Sequence, residues 1–266
     1  ELLTASEIDK NFNNFIGSSS LCMKKIKIKL TKPPMTRNSR NLLTNSQRKY
    51  VNFEVGKFSE LLAPAQRILK YSKQNWTQIE IRSVDFETLI DITDFFTIFA
   101  SSVKELYMDQ VYIKSCLRLR LYLRRIEFPK LEVLEMKCCQ ALLFHEFFIN
   151  CKTLRKFVIK SGSYISASAF EAVKTILQRN VKLETLGIHF NVFNMIFNED
   201  IVKITNFKLK EFHALDLYRI PSFFSDVKPN MENFLFNQMK TIEALSISEW
   251  IVLDVLKLIF HMPQLR

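Results

Sequence analysis

One apolar frame recurs along most of this chain, and it constrains the possible folds more than any other feature. It is clearest in one segment, where Leu131, Leu134, Met136 and Cys139 follow the spacing L-x-x-L-x-L-x-x-N/C, and Leu142 comes three residues after Cys139. The frame can be placed nine times, with its second apolar position at residues 26, 51, 79, 106, 134, 157, 186, 215 and 245. The steps average about 27 residues, and a period this regular predicts a repeat protein rather than a doubly wound sheet.

Each copy of the frame predicts a strand followed by a helix. The central L-x-L alternates between two faces because strand side chains have a period of two. Helical spacing follows in three of the segments between strands, 86–100, 166–177 and 250–260. In the second of these, Phe170, Val173 and Ile176 share one helical face. We expect the residue at the N/C position, such as Cys139 or Asn191, to bond to backbone groups in the bend after the strand.

The frame and its period resemble those of leucine-rich-repeat proteins, and the resemblance covers about 240 residues. It implies an α/β leucine-rich-repeat solenoid of about nine repeats, with a curved parallel sheet inside and helices outside. The segment 261–266 resembles 127–132, which leads into the clearest repeat. We therefore expect Leu265 to begin a tenth repeat, so that the sequence is truncated at its C-terminus.

The first eighteen residues form a separate segment. They match one pattern at Leu3, Ala5, Ser6, Ile8, Lys10, Phe12, Asn13 and Ile16. These positions resemble the last helix of an F-box, as found in F-box/leucine-rich-repeat proteins, including insect members. Asp9 stands where that family tends to have Cys, and Phe12 replaces the usual Trp. The alternative is an amphipathic helix that caps the first repeat. Both interpretations divide the chain into residues 1–18 and the solenoid 19–266.

The family resemblance also implies a function. If the F-box is intact upstream of Glu1, it docks on a Skp-type adaptor in a cullin-based SCF ubiquitin ligase, and the repeats then hold the protein substrate on their concave face. This chain would make and break no bond, and it would need no cofactor. Two alternatives remain: a leucine-rich-repeat scaffold with no ubiquitin role, and a basic solenoid that binds nucleic acid.

Residues that flank the strand leucines are predicted to line the concave, partner-binding face, since repeat solenoids use that face for extended binding. Aromatic residues and arginine are enriched among the residues that dominate binding energy. The candidate binding residues are Arg82, Tyr107, Asp109, Glu135, Lys137, Lys160, His189, Asp216 and Tyr218.

Composition argues against an enzyme, a metal site and a membrane span. The chain has only four glycines and neither a Gly-rich phosphate loop nor a G-x-S-x-G motif. Its five cysteines fit neither a disulfide framework nor a zinc ribbon, which favours reduced thiols in the cytoplasm or nucleus. No apolar run reaches the ~18 residues that a membrane helix needs.

The net charge of +11 keeps nucleic acid among the alternatives, since such an excess attracts acidic partners. The densest basic stretch contains Arg118, Arg120, Arg124 and Arg125. Leucines alternate with these arginines, which is more typical of a half-buried segment with a charged outer edge than of a phosphate site. Nucleic-acid binding is therefore the least favoured of the three functions.

Overall fold

The computed structural model describes most of the chain in two compact units, Glu1–Lys130 and Leu131–Arg266. The described residues are 17–30, 46, 48–56, 59–72, 74–115, 126–160, 167–197, 206–215, 228–247 and 257–266. Within these ranges no helix is both long enough and apolar enough to cross a membrane. Each unit combines parallel strands with helices in the connections, so the α/β class is confirmed.

In the first unit the strands lie side by side in chain order, and each is parallel to the next. Its described elements are α1 (Ser20–Lys25), β1 (Lys27–Leu30), β2 (Asn52–Gly56), a 3-10 turn (Ser59–Leu61), α2 (Leu62–Tyr71), β3 (Gln78–Thr88), α3 (Leu89–Thr97) and β4 (Glu105–Ser115).

The second unit continues the same alternation, and its strands are again parallel and in chain order. Its described elements are β5 (Val133–Lys137), a π-helical turn (Phe144–Phe148), β6 (Lys156–Lys160), α4 (Ala167–Arg179), β7 (Thr185–His189), α5 (Phe190–Ile196), β8 (Glu211–Leu215), α6 (Lys228–Gln238) and β9 (Ala244–Ser246).

The strand leucines and their equivalents align across each sheet and form the core. One row of the first unit runs through Ile28, Phe53, Ile79 and Leu106, all of them buried. The corresponding row of the second unit is Leu134, Phe157, Leu186, Phe212 and Leu245. Successive strands therefore pair through equivalent repeat positions, as the period predicted. This arrangement is compatible with a solenoid.

Three of the nine predicted frames are displaced in the structure. The second apolar positions of the first two repeats are residues 28 and 53, not 26 and 51. Both segments have apolar residues at every second position, so the frame fits equally well two residues earlier.

The eighth frame was wrong by three residues. Its second apolar position is Phe212, not Leu215, and Ala214 faces the core with 4% exposure. The small side chain of Ala214 makes the true frame, centred on Phe212, weak in the sequence. Leu215 and Leu217 match the L-x-L pattern better, so the frame was placed on them. A shift by an odd number of residues moves every side chain to the other face of a strand. A frame centred on Leu215 would place Ala214 on the concave face, whereas in the structure Ala214 faces the core.

The helix predicted over 86–100 begins later, because β3 continues to Thr88. Thr88 is the N-cap of α3: its hydroxyl accepts from the Asp91 N–H at 3.3 Å, and the Asp91 carboxylate accepts from the Thr88 N–H at 2.8 Å. The helix predicted over 166–177 is confirmed as α4. In the segment 250–260 the described residues 257–259 are helical, while 250–256 lie outside the described residues.

A left-handed backbone position recurs with the period of the repeat. Ser83, Gln110 and Cys138 have φ values of 51°, 56° and 49°, and they are 27 and 28 residues apart. Each directly follows an outward-facing residue, and in β3 the next residue, Val84, is buried again. The backbone thus bends at the same place in three repeats. After the bend, buried and outward-facing residues alternate again.

Polar side chains at the helix-to-strand turns hold successive repeats together, which the sequence frame did not predict. Ser102 donates to the Trp76 carbonyl at 2.9 Å, and Thr153 donates to the Leu131 carbonyl at 2.7 Å. The predicted contact in the other bend occurs at Cys139, whose thiol donates to the Lys137 carbonyl at 3.3 Å.

Asn180 and Gln238 make the deeper bonds of this kind. Asn180 accepts from the Leu154 N–H at 2.8 Å and donates to the Cys151 and Ile176 carbonyls at 2.9 and 2.7 Å. Gln238 accepts from the Leu209 N–H at 3.0 Å. In contrast, Asn191, which was predicted to bond in the bend after its strand, lies within helix α5.

Candidate protein-binding face

We call the side of each sheet that faces away from the core the open face. Every second strand residue lies on it, because core and outward positions alternate along a strand. In the first unit the charged and aromatic open-face residues that precede the bends in β3 and β4 are Lys27, Lys29, Glu54, Glu80, Arg82, Glu105, Tyr107 and Asp109. Three of the predicted binding residues, Arg82, Tyr107 and Asp109, therefore lie on this face.

Two glutamates form the centre of the open face in the first unit. Glu54 and Glu80 are directly opposite each other on β2 and β3, and each is only 6% exposed. Two carboxylates at such positions would repel each other, and burial would increase the cost of their charges. Their burial therefore requires cations close by.

Three cations surround these two carboxylates. The Lys27 ammonium lies 3.7 Å from a carboxylate oxygen of Glu54 and also hydrogen-bonds to Glu80. The Lys29 ammonium lies 3.6 Å from Glu54, and the Arg82 guanidinium lies 3.9 Å from Glu54 while it hydrogen-bonds to Glu80. The carboxylates contact the charged ends of these side chains, while the side chains of Lys29 and Arg82 remain 61% and 52% exposed.

The cations also stabilise the charged form of Glu80. Burial opposes ionisation and would raise the pKa of this carboxyl, but hydrogen bonds from Lys27 and Arg82, and their positive charges, outweigh it. The pKa of Glu80 is therefore lower than usual. The pKa of Arg82 is raised, chiefly by its hydrogen bond to Glu80.

Replacing Glu80 with glutamine is expected to lower the free energy of unfolding by about 1–2 kcal/mol at neutral pH, since a hydrogen bond to a charged group is lost. The pKa of Glu80 is lower in the folded than in the unfolded state, so its contribution is present above the unfolded-state pKa. That contribution is lost as the pH falls through the folded-state pKa. Urea unfolding at neutral and acidic pH should show the difference between the two proteins shrinking below about pH 4.

Glu87→Gln is the control for this measurement. Glu87 is 67% exposed and pairs with the exposed Lys114 at 2.6 Å, so its replacement should change stability by less than about 0.5 kcal/mol. A loss for Glu80→Gln that is the same at both pH values would contradict the stabilising role of the ionised carboxylate.

Strands β3 and β4 bring the predicted binding residues of the first unit together. Arg82 lies opposite Asp109, and Glu80 lies opposite Tyr107. The hydroxyl of Tyr107 donates to the Glu105 carboxylate at 3.0 Å. We call Lys29, Glu54, Glu80, Arg82, Tyr107 and Asp109 the first-unit patch. In this patch ion pairs fix the side chains of Lys29 and Arg82, and a hydrogen bond fixes that of Tyr107.

A second charged group lies on the open face of the second unit. We define the lysine patch as Glu135, Lys137, Lys156 and Lys160, three of which were predicted to bind a partner. The Lys156 ammonium lies 2.6 Å from one Glu135 oxygen, and the Lys160 ammonium lies 3.9 Å from the other. Lys137 lies directly opposite Lys160 in the sheet. Lys156 was not among the predicted binding residues, although its position beside Lys160 on one strand face could have indicated it.

Three further residues were predicted to bind a partner: His189, Asp216 and Tyr218. His189 is on the open face but only 5% exposed, so little of its side chain is accessible to a partner. The strand pattern gives the face of a side chain, whereas its exposure depends on what packs over it from other parts of the chain. Asp216 and Tyr218 lie outside the described residues, as do Arg118, Arg120, Arg124 and Arg125.

Metal binding, disulfide formation and thiol chemistry have little support among the described residues. They contain no group of three His, Cys, Asp or Glu side chains placed to hold a metal ion. Their cysteines form no disulfide, and burial raises the pKa of the Cys151 thiol to about 12, which keeps it protonated. A groove of about 630 Å³ between α2 and α3 is lined by Gln66, Arg67, Lys70, Tyr71 and Asp94 among others.

No protein-family model matches the chain, and no curated protein is significantly similar to it. The resemblance to F-box/leucine-rich-repeat proteins therefore remains a prediction from the residues that carry it. Function has to be argued from the open face.

Proposed function

We propose that this chain is a protein-binding subunit of the leucine-rich-repeat type, which holds a protein target on the open face of its sheet and carries out no chemistry itself. The arrangement of the first-unit patch carries this proposal. Glu54 and Glu80 form ion pairs with Lys29 and Arg82, and the side chains of both cations nevertheless remain more than half exposed. Side chains that are ordered before binding lose less entropy when a partner binds.

The residue types of the first-unit patch also favour protein recognition. Tyrosine and arginine are enriched among binding hot spots, and here Tyr107 and Arg82 lie on adjacent strands. Asp109 opposite Arg82 gives the patch both charge signs. A surface with fixed charges of both signs can select a partner by complementary charge.

We further propose that the bound protein is a ubiquitination substrate, and that the chain is the substrate-recognition subunit of a cullin-based SCF-type ligase. This part rests on the F-box-like residues between Leu3 and Ile16, which lie outside the described residues. The Skp-type adaptor would bind that end of the chain, and the repeats would raise the local concentration of substrate near the ligase. A leucine-rich-repeat scaffold with no ubiquitin role is the alternative.

Quantitative affinity capture from cells with the whole chain tests the binding role. The variant Lys29→Ala/Tyr107→Ala removes a lysine and a tyrosine from the first-unit patch. Its control, Lys70→Ala/Tyr71→Ala, removes the same residue types from helix α2, where Tyr71 is 65% exposed. We expect partners retained by the wild type and the control to fall about tenfold or more with the patch variant. If the patch variant keeps every partner of the control, the open face is not the binding surface.

The same captures test the ubiquitin role. A Skp-type adaptor and a cullin should be recovered at equal levels with the wild type and both variants, because the F-box-like segment is unchanged. If a chain that carries the complete F-box captures substrates without an adaptor, the ligase role fails and the scaffold alternative stands.

A further inference from the structure

One exposed lysine lies in the turn before each of the strands β6, β7, β8 and β9. We call these four residues the turn lysines: Lys152, Lys182, Lys208 and Lys240. Each comes two or three residues before the residue that makes the first backbone hydrogen bond to the neighbouring repeat. The same residue type therefore recurs at one place in four consecutive turns, and these turns lie together at one edge of the sheet.

Backbone hydrogen bonds hold the four turns in line. The N–H groups of Arg155, Glu184, Lys210 and Glu243 donate to the carbonyls of Glu132, Arg155, Glu184 and Lys210 respectively, at 2.7–2.8 Å. We call the turn lysines and these five residues the turn edge. Neighbouring strands are about 4.8 Å apart, so the four turn lysines span about 14 Å at the backbone. Their ammonium groups therefore form a regular row.

The turn edge carries a surplus of positive charge. Its six cations are opposed by the carboxylates of Glu132, Glu184 and Glu243. Glu184 pairs with Arg155 at 3.8 Å and with Lys210 at 3.6 Å, so its charge is offset without a turn lysine. Within the part of the chain that the structure describes, no ion pair involves a turn lysine. The four ammonium groups are therefore available to the carboxylates of another molecule.

We propose that the turn lysines bind an α-helix of a partner protein that carries a row of carboxylates along one face. Helical side chains three and four residues apart lie on the same face, about one turn of 5.4 Å apart. Carboxylates on four successive turns span about 16 Å, against about 14 Å for the four turn lysines. The flexible lysine side chains absorb this difference of about 2 Å. One helix along the turn edge therefore pairs with all four lysines.

The inference goes beyond the proposed function, because it assigns a second binding surface. The turns lie at the ends of the strands rather than on the open face, and none of their lysines belongs to the first-unit patch. The two surfaces also select by different charge: the first-unit patch carries fixed charges of both signs, whereas the turn edge carries a surplus of one sign.

The glutamates of the turn edge favour a helix with only one acidic face. Glu184 and Glu243 follow their turn lysines in the sequence and lie nearer to the strands. A helix whose carboxylates form one row presents them to the turn lysines and presents its other faces to the glutamates. A partner segment with acidic residues on all sides would meet both.

A nucleic acid fits the turn edge less well. Successive phosphates of one DNA strand are about 3.4 Å apart along the helix axis, which does not match a lysine spacing of about 4.8 Å. Single-stranded nucleic acids are bound by cationic grooves combined with aromatic side chains on which bases stack. The described residues of the four turns include no exposed Phe, Tyr or Trp, since Phe207 is only 2% exposed.

Fluorescence anisotropy with the full chain tests the proposal. The probe is a fluorescein-labelled, alanine-rich helical peptide whose glutamates lie on one face, at alternating spacings of four and three residues. Charge reversal in Lys182→Glu/Lys208→Glu should weaken its binding about tenfold, because two attractions become two repulsions. Lys182→Gln/Lys208→Gln should weaken it less, since no repulsion is introduced. Circular dichroism shows whether each variant is folded.

Lys49→Glu/Lys70→Glu is the matched control, since it makes the same change in net charge. Both lysines are exposed, and both belong to the first unit. We expect the control to weaken peptide binding by less than about twofold at physiological salt. Two further probes are a peptide of the same composition with its glutamates spread over all faces of the helix, and a labelled DNA duplex. Both should bind the wild type more weakly than the first peptide.

Four results would overturn the inference. These are no peptide binding by the wild type at low salt, equal weakening in the control, equal binding of the peptide with spread glutamates, and tighter binding of the duplex with the same dependence on Lys182 and Lys208. None of them affects the binding role proposed for the first-unit patch, which is tested by Lys29→Ala/Tyr107→Ala. The two proposals can therefore fail separately.

Discussion

Replacement of Asn180 by alanine is expected to lower the free energy of unfolding of the second unit by about 3–5 kcal/mol, because three backbone groups lose their partner. Asn180 is 1% exposed, and its side chain bonds to the Leu154 N–H and to the Cys151 and Ile176 carbonyls. Each buried backbone group left without a bond costs about 1–3 kcal/mol. Losses of this size are uncommon for a single substitution, and here they come from one side chain that joins two repeats.

Urea unfolding followed by circular dichroism measures the total loss, and amide hydrogen exchange at Leu154 reports the broken bond directly. Thr175→Ala in the same helix is the control. The Thr175 hydroxyl donates to the Glu171 carbonyl at an exposed position, so its loss should cost less than about 0.5 kcal/mol. A cost below about 1 kcal/mol for Asn180→Ala would mean that water replaces the side chain without penalty.

Gly56→Ala is expected to lower the free energy of unfolding of the first unit by about 2–3 kcal/mol through a clash with main-chain atoms. A Cβ atom at Gly56 would lie 2.5 Å from the Arg82 carbonyl oxygen and 3.0 Å from the Arg82 Cβ. The two residues are opposite each other on β2 and β3, so the strands would have to separate there. The same movement would displace Arg82, and capture of partners by the first-unit patch should weaken with it.

Gly187→Ala provides the comparison, because the obstacle there is a side chain. A Cβ atom at Gly187 would lie 2.8 Å from a methyl group of Val158 on the neighbouring strand. In a double-mutant cycle, Val158→Ala should therefore recover part of the cost of Gly187→Ala, about 1 kcal/mol. Arg82→Ala should recover almost none of the cost of Gly56→Ala, since the carbonyl oxygen remains. Equal recovery in both cycles would show that the Gly56 clash is not with the main chain.

Strand pairing was accessible to sequence reasoning where the apolar frame was unambiguous. Leu134, Phe157 and Leu186 were aligned correctly because large apolar residues flank one outward position in each frame. The frame failed at Phe212, where a small core residue, Ala214, competed with two leucines further along. A one-dimensional pattern weighs side-chain size alone, whereas the folded sheet selects the register that pairs with β7.

The binding residues were predictable in position but not in environment. Arg82, Tyr107 and Lys160 could be assigned to the outward face because side chains alternate between the two faces along a strand. The burial of Glu54, Glu80 and His189 could not, because an outward strand residue is covered only by side chains from other strands or connections.

The sequence by itself determined that this protein is an α/β chain and that its repeated strands pair in parallel with their neighbours. The physical reason is local: an apolar residue at every second position, repeated about every 27 residues, buries only one face of each strand and needs an equivalent strand beside it. The tertiary structure decided which residues join the repeats and which charges are held fixed. Asn180 meets Leu154 across 26 residues, and Lys27 meets Glu80 across 53, so neither contact leaves a trace in the local pattern.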